Sequence, residues 1–187
     1  MMIAMESPQK QQTETLGFAI ALIAPNRSPE IPEALDVFGW FVSDWELDIR
    51  VYWTDVSARH LKGEVHVSRV LEGRAVQDVW IMPRRSERST EVDKTCNMYG
   101  STLRMWDPGI QAWRVTWTNP VTARWNELIA CWQGKDIVQL GSHPDGTPIR
   151  WIFSEITGDS FHWTGESLQA DGKSWKLEGE FYGRRVK

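Results

Sequence analysis

The sequence is poor in the features that mark several large classes of protein. Its 187 residues include two cysteines and four histidines, and acidic residues outnumber basic ones to give a formal net charge of −4. A chain without an excess of basic residues is poorly suited to bind nucleic acid or an anionic membrane. Its length fits one domain with a core of its own. We therefore expect a single acidic domain that binds neither.

Scarce cysteine and the lack of a long apolar run together indicate the compartment. Cys96 and Cys131 match no zinc-binding spacing and are too few for a disulfide framework, so we expect both to be reduced and buried. The apolar run from Leu16 to Ala24 is too short to cross a bilayer. Glu6 and Glu14 differ from the basic start of a secretory signal. The cytoplasm is the expected location.

Recognisable catalytic and metal-binding motifs are also missing. The chain has no nucleophile elbow, no phosphate-binding glycine loop and no Cys–His pairing in sequence. The histidines are too far apart to form a metal pair, and we expect surface positions for His60, His66, His143 and His162. An enzyme would have to bring dispersed polar side chains together. The candidate catalytic residues are Asp78, Arg104, Asn119 and Glu155.

Tryptophan, by contrast, is abundant. The chain has twelve tryptophans beside six phenylalanines and three tyrosines. Indole side chains bury a large area in a core, and they also form flat walls for apolar or aromatic ligands. Composition alone does not separate these two uses.

The N-terminal part of the chain differs in pattern from the rest. Residues 1–28 are predicted to be a flexible arm, and residues 29–187 are predicted to form the folded domain. Ser28 suits the N-cap of a helix and Pro29 suits its first position, so we expect a short helix before the main body.

From Trp45 onward, apolar and polar residues alternate in segments divided by glycine, proline or aspartate. About ten such segments follow one another without a helical pattern between them, which is typical of antiparallel strands joined by short turns. Closing such a meander into a barrel removes its exposed edges and leaves room for a small molecule. We therefore predict an all-β fold, an antiparallel up-and-down β-barrel of 8–10 strands with a short N-terminal helix.

The same alternation predicts which aromatic residues face the interior. Trp113 and Trp117 share one face of a predicted strand, with Val115 between them. The same parity directs inward the residues Trp45, Trp53, Trp151, Phe153, Phe161, Trp163, Trp175 and Phe181. These side chains either fill the barrel as core or line a cavity, and the barrel topology favours a cavity.

Some polar residues fall in step with the apolar faces. Arg69 follows Val65 and Val67, and Gln77 precedes Val79. Such a side chain is either a structural partner at the end of the barrel or a contact that orients a ligand. Trp80 would also face inward if a bulge followed the turn before it. The candidate ligand-binding residues are Trp53, Arg69, Gln77, Trp80, Trp113, Trp117, Trp151, Phe153 and Trp163.

Two motifs carry a resemblance to a known family. One is the turn Leu71-Glu72-Gly73-Arg74 followed by Gln77-Asp78-x-Trp80, and the other is the corner Trp106-Asp107-Pro108. With the closing segment WKLEGEFYGRR, they resemble a bacterial lipocalin-like, calycin-type domain family, largely of unknown function, over about Phe38 to Arg185. The resemblance implies a β-barrel that binds small apolar molecules. Some barrels related to this family bind haem, and others catalyse isomerisation, hydration or cyclisation of hydrophobic substrates, so the resemblance leaves these activities open for this chain.

The likeness to haem-binding, nitrobindin-like barrels is more distant. Their Gly-x-Trp-x-Gly start is replaced by the segment from Ser43 to Leu47. A proximal haem ligand would have to be His162 or another of the four histidines. The expectation is therefore no cofactor, with haem as the minority alternative.

Three functions follow from these observations. The first is binding of a small hydrophobic or aromatic molecule in a tryptophan-lined cavity. The second is a cofactor-independent enzyme of isomerase, lyase or cyclase type that acts on a hydrophobic substrate inside the barrel. The third is a filled barrel that forms a homodimer or binds a partner, through the loop from Pro83 to Lys94 or through the N-terminal arm.

Overall fold

The computed structural model describes residues 16–89 and 93–187. Within these residues, eleven strands form one antiparallel sheet in chain order, and the two-residue strand β2 pairs only with β1. Because β11 also pairs with β1, the sheet closes into a barrel of ten strands. The strands are β1 Asp44–Tyr52, β2 Thr54–Asp55, β3 Lys62–Val70, β4 Ala75–Met82, β5 Met98–Asp107, β6 Ala112–Asn119, β7 Arg124–Gln133, β8 Asp136–Ser142, β9 Pro148–Ser154, β10 Ser160–Leu168 and β11 Trp175–Arg185.

The predicted fold class is confirmed, since the chain forms an all-β closed antiparallel barrel with one short helix near its N-terminus. Each barrel strand pairs with the next one along the chain, and the pairing of β11 with β1 leaves both of these strands with a neighbour on each side. Short 3-10 turns occupy Glu33–Leu35, Gly39–Phe41, Ser57–Arg59, Arg85–Glu87 and Lys94–Cys96.

The helix lies earlier in the chain than predicted. Residues 16–22 are helical, whereas the segment after Ser28 forms turns and 3-10 structure. Pro32 explains the difference, because a helix that began at Pro29 would need an N–H that a proline at position 32 does not have. Directly after the helix, Ile23 forms a β-bridge with Val70. Residues 1–15 of the predicted arm lie outside the described residues, so the boundary at residue 28 stays a prediction.

Residues 29–42, which we call the N-terminal plug, close one end of the barrel. Phe38 and Phe41 are fully buried within the aromatic core. The plug also supplies acceptors for indole N–H groups: Trp45 Nε1 donates to the Phe41 carbonyl and Trp113 Nε1 donates to the Leu35 carbonyl, each at 2.8 Å. Buried indoles need such partners. Trp45 and Trp113 therefore belong to a filled core at this end.

Two arginines hold the plug against the rim of the barrel. Arg69 on β3 forms a paired contact with the Asp36 carboxylate, with a distance of 2.5 Å from Nη2 to Oδ2. Arg185 on β11 donates to the Trp40 carbonyl at 2.7 Å and lies over the Trp45 ring. Arg69 was predicted to be either a structural partner at the end of the barrel or a ligand contact. Its pairing with Asp36 corresponds to the structural role.

The first strand follows the predicted alternation until it is interrupted near its end. Trp45, Leu47 and Ile49 are buried as predicted. The pairing of β1 with β11 then shifts between Ile49 and Val51, which turns Tyr52 toward the interior in place of Val51. An extra residue in one strand reverses the faces of the residues that follow it.

The predicted inward face of β4 is wrong. Val65 and Val67 on β3 are buried, and their partners on β4 are Trp80 and Asp78. Residues directly opposite each other in an antiparallel pair share a face, so the register alone directs Trp80 and Asp78 inward and no bulge is needed. Gln77 lies on the other face, where its amide donates to Ser101 Oγ at 3.0 Å.

Trp175 is also placed differently from its prediction. On β10, Gly165 pairs with Gly179, but the next residue pairs with Leu177, so Glu178 is the extra residue of a β-bulge on β11. The bulge reverses the faces of the strand before it. Trp175 consequently packs under the Arg150 guanidinium, 4.2 Å from its ring centroid, and Arg150 lies on the outward face of β9.

Both cysteines are free, but only one of them is buried. Cys96 is buried, whereas Cys131 is exposed. Cys131 follows the buried Ala130 on β7 and therefore lies on the opposite, outward face of the strand. The expectation of burial is wrong for this residue. Among the described residues, no helix is long and apolar enough to cross a membrane.

Candidate functional site

A cavity opens at the end of the barrel opposite the N-terminal plug, and we call it the open-end cavity. Its volume is about 90 Å³. Its aromatic wall consists of Tyr52, Trp53, Trp80, Trp117, Trp151, Trp163 and Phe181. Its polar wall consists of Thr102, Arg104, Asn119, Arg124, Asn126, His143 and Glu178. A mainly aromatic wall with a few polar groups is the usual composition of a small-molecule site.

Four tryptophans form a continuous side of the cavity. The Trp151 ring lies 6.5 Å from Trp117 and 5.8 Å from Trp163, and Trp163 lies 5.9 Å from Trp80. On its other face, Trp163 stacks on Phe181 with a centroid distance of 4.9 Å and an interplanar angle of 7°. Each of these indoles therefore contacts at least one other aromatic ring of the wall, and such contacts restrict the motion of the rings.

Glycine makes the flat placement of Trp163 possible. Gly165 and Gly179 are opposite each other on β10 and β11. A Cβ atom at Gly165 would lie 2.7 Å from the Trp163 indole, and one at Gly179 would lie 2.9 Å from it. Real Cβ atoms do not approach so closely, so any other residue at these positions would displace the indole.

A buried ion pair lies at the inner end of the cavity. The Asp78 side chain is completely buried and that of Arg104 is 2% exposed, and Arg104 Nη1 donates to Asp78 Oδ2. Asp78 Oδ1 accepts the Thr102 backbone N–H at 3.0 Å. The Arg104 guanidinium also lies 4.8 Å from the ring centroid of Phe38 in the plug. Arg104 thus connects the filled end of the barrel to the cavity.

Some polar atoms inside the barrel have no protein partner. Arg104 Nε has none among the described residues, and neither amide atom of the buried Gln139 has one. Gln139 lies opposite Trp151 in the register of β8 and β9. Because buried polar groups are nearly always hydrogen-bonded, such atoms indicate positions where water or a ligand supplies the partner.

Trp53 and Arg124 meet at the mouth of the cavity. The Arg124 guanidinium carbon lies 3.7 Å from the centroid of the Trp53 ring. Trp53 has a left-handed φ of 63°, which is costly for a bulky residue. Its backbone N–H donates to the Glu178 carbonyl at 2.6 Å, and this contact holds it there. The indole is therefore kept at the rim, where the arginine covers it.

The bulge in β11 brings a carboxylate into the cavity wall. Glu178 Oε2 lies 3.0 Å from His143 Nε2, and Glu178 Oε1 accepts from Ser167 Oγ at 2.8 Å. Both carboxylate oxygens are therefore engaged. A carboxylate on one ring nitrogen orients an imidazole and leaves the other nitrogen for a ligand, so this group can take part in proton transfer.

Tyr52 adds a hydroxyl group beside the mouth. Burial raises the pKa of Tyr52 above its ordinary value, and the positive charge of Arg124 acts in the opposite direction. The hydroxyl is therefore neutral at physiological pH and can donate or accept a hydrogen bond.

The structure brings together some of the sequence-predicted site residues and separates the others. The cavity wall includes Trp53, Trp80, Trp117, Trp151, Trp163, Arg104 and Asn119. Asp78 is the partner of Arg104, directly behind this wall. Gln77 lies on the outward face of the barrel, and Glu155 is exposed beside a groove on the outer surface. The plugged end contains Arg69, Trp113 and Phe153.

Of the four histidines, His143 is the one that lines the cavity. His162 lies on the outer face, stacked on Tyr182 with a centroid distance of 4.4 Å and bound to Glu180. His66 is bound to Asp44 on the surface. Within the described part of the chain, no group of three or more His, Cys, Asp or Glu side chains could hold a metal ion.

Sequence reasoning missed several wall residues. Asn126 follows the same parity as the buried Leu128 on β7, so the period-two pattern could have identified it. Glu178 could not be found in this way, because a bulge reverses the parity beside it. Arg124 and His143 lie at the ends of strands, where alternation gives no direction. Their place at the site depends on which turns meet at the open end.

Comparison with known proteins supports the fold. No protein-family model matches the sequence, and no curated protein is significantly similar to it. Among solved structures, the S-type phycobiliprotein lyase CPES from Guillardia theta superposes with a TM-score of 0.51 and 11% sequence identity. The match covers 82% of this chain and 93% of that one. The chain therefore shares the β-barrel fold of that protein.

Proposed function

We propose that this protein binds a small hydrophobic or aromatic molecule in the open-end cavity. The observation that carries the proposal is the wall of tryptophans around a space that no side chain fills, with a few polar groups beside it. Inward aromatic residues at the other end pack against the plug, whereas Trp117 and Trp151 contact each other at 6.5 Å and border the cavity. A packed core would not leave this space.

The interior has a packed end and an open end, and this difference argues against the alternative of a completely filled barrel. Trp113 has a hydrogen-bonded indole and contacts Phe38 at 5.4 Å, whereas Trp117, four residues later on the same strand, borders the cavity. One strand thus contributes a core residue at the plugged end and a wall residue at the open end. The small volume favours compact ligands of one aromatic ring.

The proposal is tested by titrating a panel of single-ring and two-ring aromatic molecules into the protein. We expect members of the panel to quench tryptophan fluorescence and to raise the melting temperature. Trp117→Ala removes one side of the wall, and we expect it to weaken binding about tenfold, which corresponds to about 1.4 kcal/mol. Binding is measured by isothermal titration calorimetry.

Trp125→Ala is the matched control for this variant. Trp125 is 53% exposed at the start of the neighbouring strand β7 and does not line the cavity. Its replacement is expected to leave affinity unchanged. If no member of the panel binds the unaltered protein, or if both variants bind equally well, the proposal is wrong.

A cofactor-independent enzyme is the second candidate, and the contacts of His143 favour it. His143, Glu178 and Ser167 form a hydrogen-bonded series whose first member borders the cavity. A barrel of this fold is a lyase in Guillardia theta, so the fold is compatible with catalysis as well as binding. The fold by itself does not decide between the two.

The test of this candidate is solvent exchange. Aromatic ketones that bind are incubated with the protein in D2O, and deuterium incorporation next to the carbonyl is followed by NMR. His143→Gln is expected to reduce the exchange rate at least 100-fold while leaving ketone affinity within about twofold, because a general base contributes to rate more than to binding. Exchange that is absent, or equal in both proteins, would exclude this chemistry.

The finer expectations from the sequence also stay proposals. Membership of the lipocalin-like family rests on the turn and corner motifs together with the barrel fold. A cytoplasmic location, a homodimer and a partner-binding role of the loop from Pro83 to Lys94 are predictions that no contact among the described residues tests.

A further inference from the structure

Two hydrogen-bond acceptors of the open-end cavity, on Glu178 and Asn119, already have partners within the protein. The Glu178 carboxylate, the strongest acceptor of the wall, is engaged by His143 on one oxygen and by Ser167 on the other. Asn119 Oδ1 accepts the Val121 backbone N–H at 3.2 Å. These acceptors are satisfied within the protein.

By contrast, side-chain N–H donors of Arg104 and Arg124 have no hydrogen-bond acceptor among the described residues. Arg104 is 2% exposed, yet its Nε has no partner among the described residues. The Arg124 guanidinium carbon lies over the Trp53 ring, 3.7 Å from its centroid, and among the described residues no hydrogen bond engages the Arg124 guanidinium N–H groups. A ligand that matches such a wall supplies hydrogen-bond acceptors.

The charges of the cavity wall also favour a ligand that supplies acceptors, and in particular one with a negative charge. The Arg104 charge is neutralised by Asp78, and the two Glu178 carboxylate oxygens are hydrogen-bonded to His143 and Ser167. Arg124 has no carboxylate within ion-pair distance among the described residues. It is therefore the cation at the cavity that lacks a counter-charge, and its attraction lowers the pKa of Tyr52 against the effect of burial.

We infer that the ligand is an aromatic carboxylate, with its ring against Trp117 and Trp151 and its carboxylate bound by Arg124. This inference deepens the proposed function and rests on it. A guanidinium held over an indole is restricted in its motion, and its fork of donors matches both oxygens of a carboxylate. The site lies at the mouth, so the carboxylate keeps part of its hydration while the ring leaves water.

The inference is tested with phenylacetate and its neutral analogue phenylacetamide, which differ in charge but hardly in shape. Dissociation constants are measured by isothermal titration calorimetry at low and at high salt. We expect phenylacetate to bind at least tenfold more tightly at low salt, and the preference to shrink as salt screens the charge. In Arg124→Gln, the two molecules are expected to bind about equally, because phenylacetate loses much more affinity than phenylacetamide.

Arg184→Gln is the matched control, because it removes the same charge from an exposed position on β11 that does not line the cavity. It is expected to keep the preference. Equal binding of the two molecules by the unaltered protein, or a preference that survives in Arg124→Gln, would overturn the inference and leave the proposed function in place. Failure of both molecules to bind would also overturn it, and the proposed function would fall only if the wider aromatic panel failed as well.

Discussion

Replacing Asp78 with alanine is expected to lower the free energy of unfolding by about 3–5 kcal/mol, the usual cost of removing one partner of a buried ion pair. The loss would leave the Arg104 guanidinium charged and without its carboxylate in the middle of the barrel. It would also leave the Thr102 N–H without its acceptor at Asp78 Oδ1. The measurement is urea-induced unfolding, followed by tryptophan fluorescence.

The double variant Asp78→Leu with Arg104→Met is the informative control. It removes both charges together, so no ion stays buried, and apolar side chains of similar volume can pack against Phe38 and Phe41. Replacement of whole buried ion pairs in this way is often neutral or stabilising. We therefore expect the double variant to be more stable than Asp78→Ala. A double variant as unstable as the single one would mean that the pair contributes through something other than charge compensation.

Replacing Phe41 with alanine is expected to cost about 3–5 kcal/mol, as is typical for a fully buried phenylalanine. Phe41 is at the centre of the plugged end, with ring contacts at 5.2 Å to Phe153 and 5.5 Å to Phe161. The Phe41 carbonyl that accepts the Trp45 indole N–H is part of the backbone and stays in the variant. The effect therefore reports the packing of the plug rather than the loss of this hydrogen bond.

Phe18→Ala is the matched control, because Phe18 is 69% exposed in the helix over residues 16–22. The same chemical change at this exposed position is expected to alter stability by less than about 0.5 kcal/mol. Both variants are compared by urea-induced unfolding. Similar losses at the two positions would contradict the assignment of residues 29–42 as the part that completes the core.

The same alternating pattern produces a packed core at one end of the barrel and a cavity wall at the other. Trp113 and Trp117 on β6 are indistinguishable by periodicity, and both face inward as predicted. What separates them is the plug, which covers Trp113 and contacts its indole, and does not reach Trp117. Filled and open regions of one barrel therefore depend on a segment that is distant in sequence.

Two of the predictions that failed concern which face of a strand points inward. The inward face of β4 follows from its partners on β3, and this register places Asp78 and Trp80 inside and Gln77 outside. On β11, one extra residue turns Trp175 outward and brings Glu178 into the cavity wall. Because a shift of one residue exchanges the two faces of a strand, a small local error moves a whole set of side chains.

The sequence by itself determined the architecture of this protein. Period-two alternation from Trp45 onward and regular turns specify antiparallel strands and most of the inward face, since apolar side chains must leave water on one side of each strand. Only the tertiary structure decided the site. The pairs of Arg104 with Asp78, Arg124 with Trp53 and His143 with Glu178 join strands and turns that are far apart in the chain. Such contacts depend on register, bulges and closure of the barrel, which no local pattern encodes.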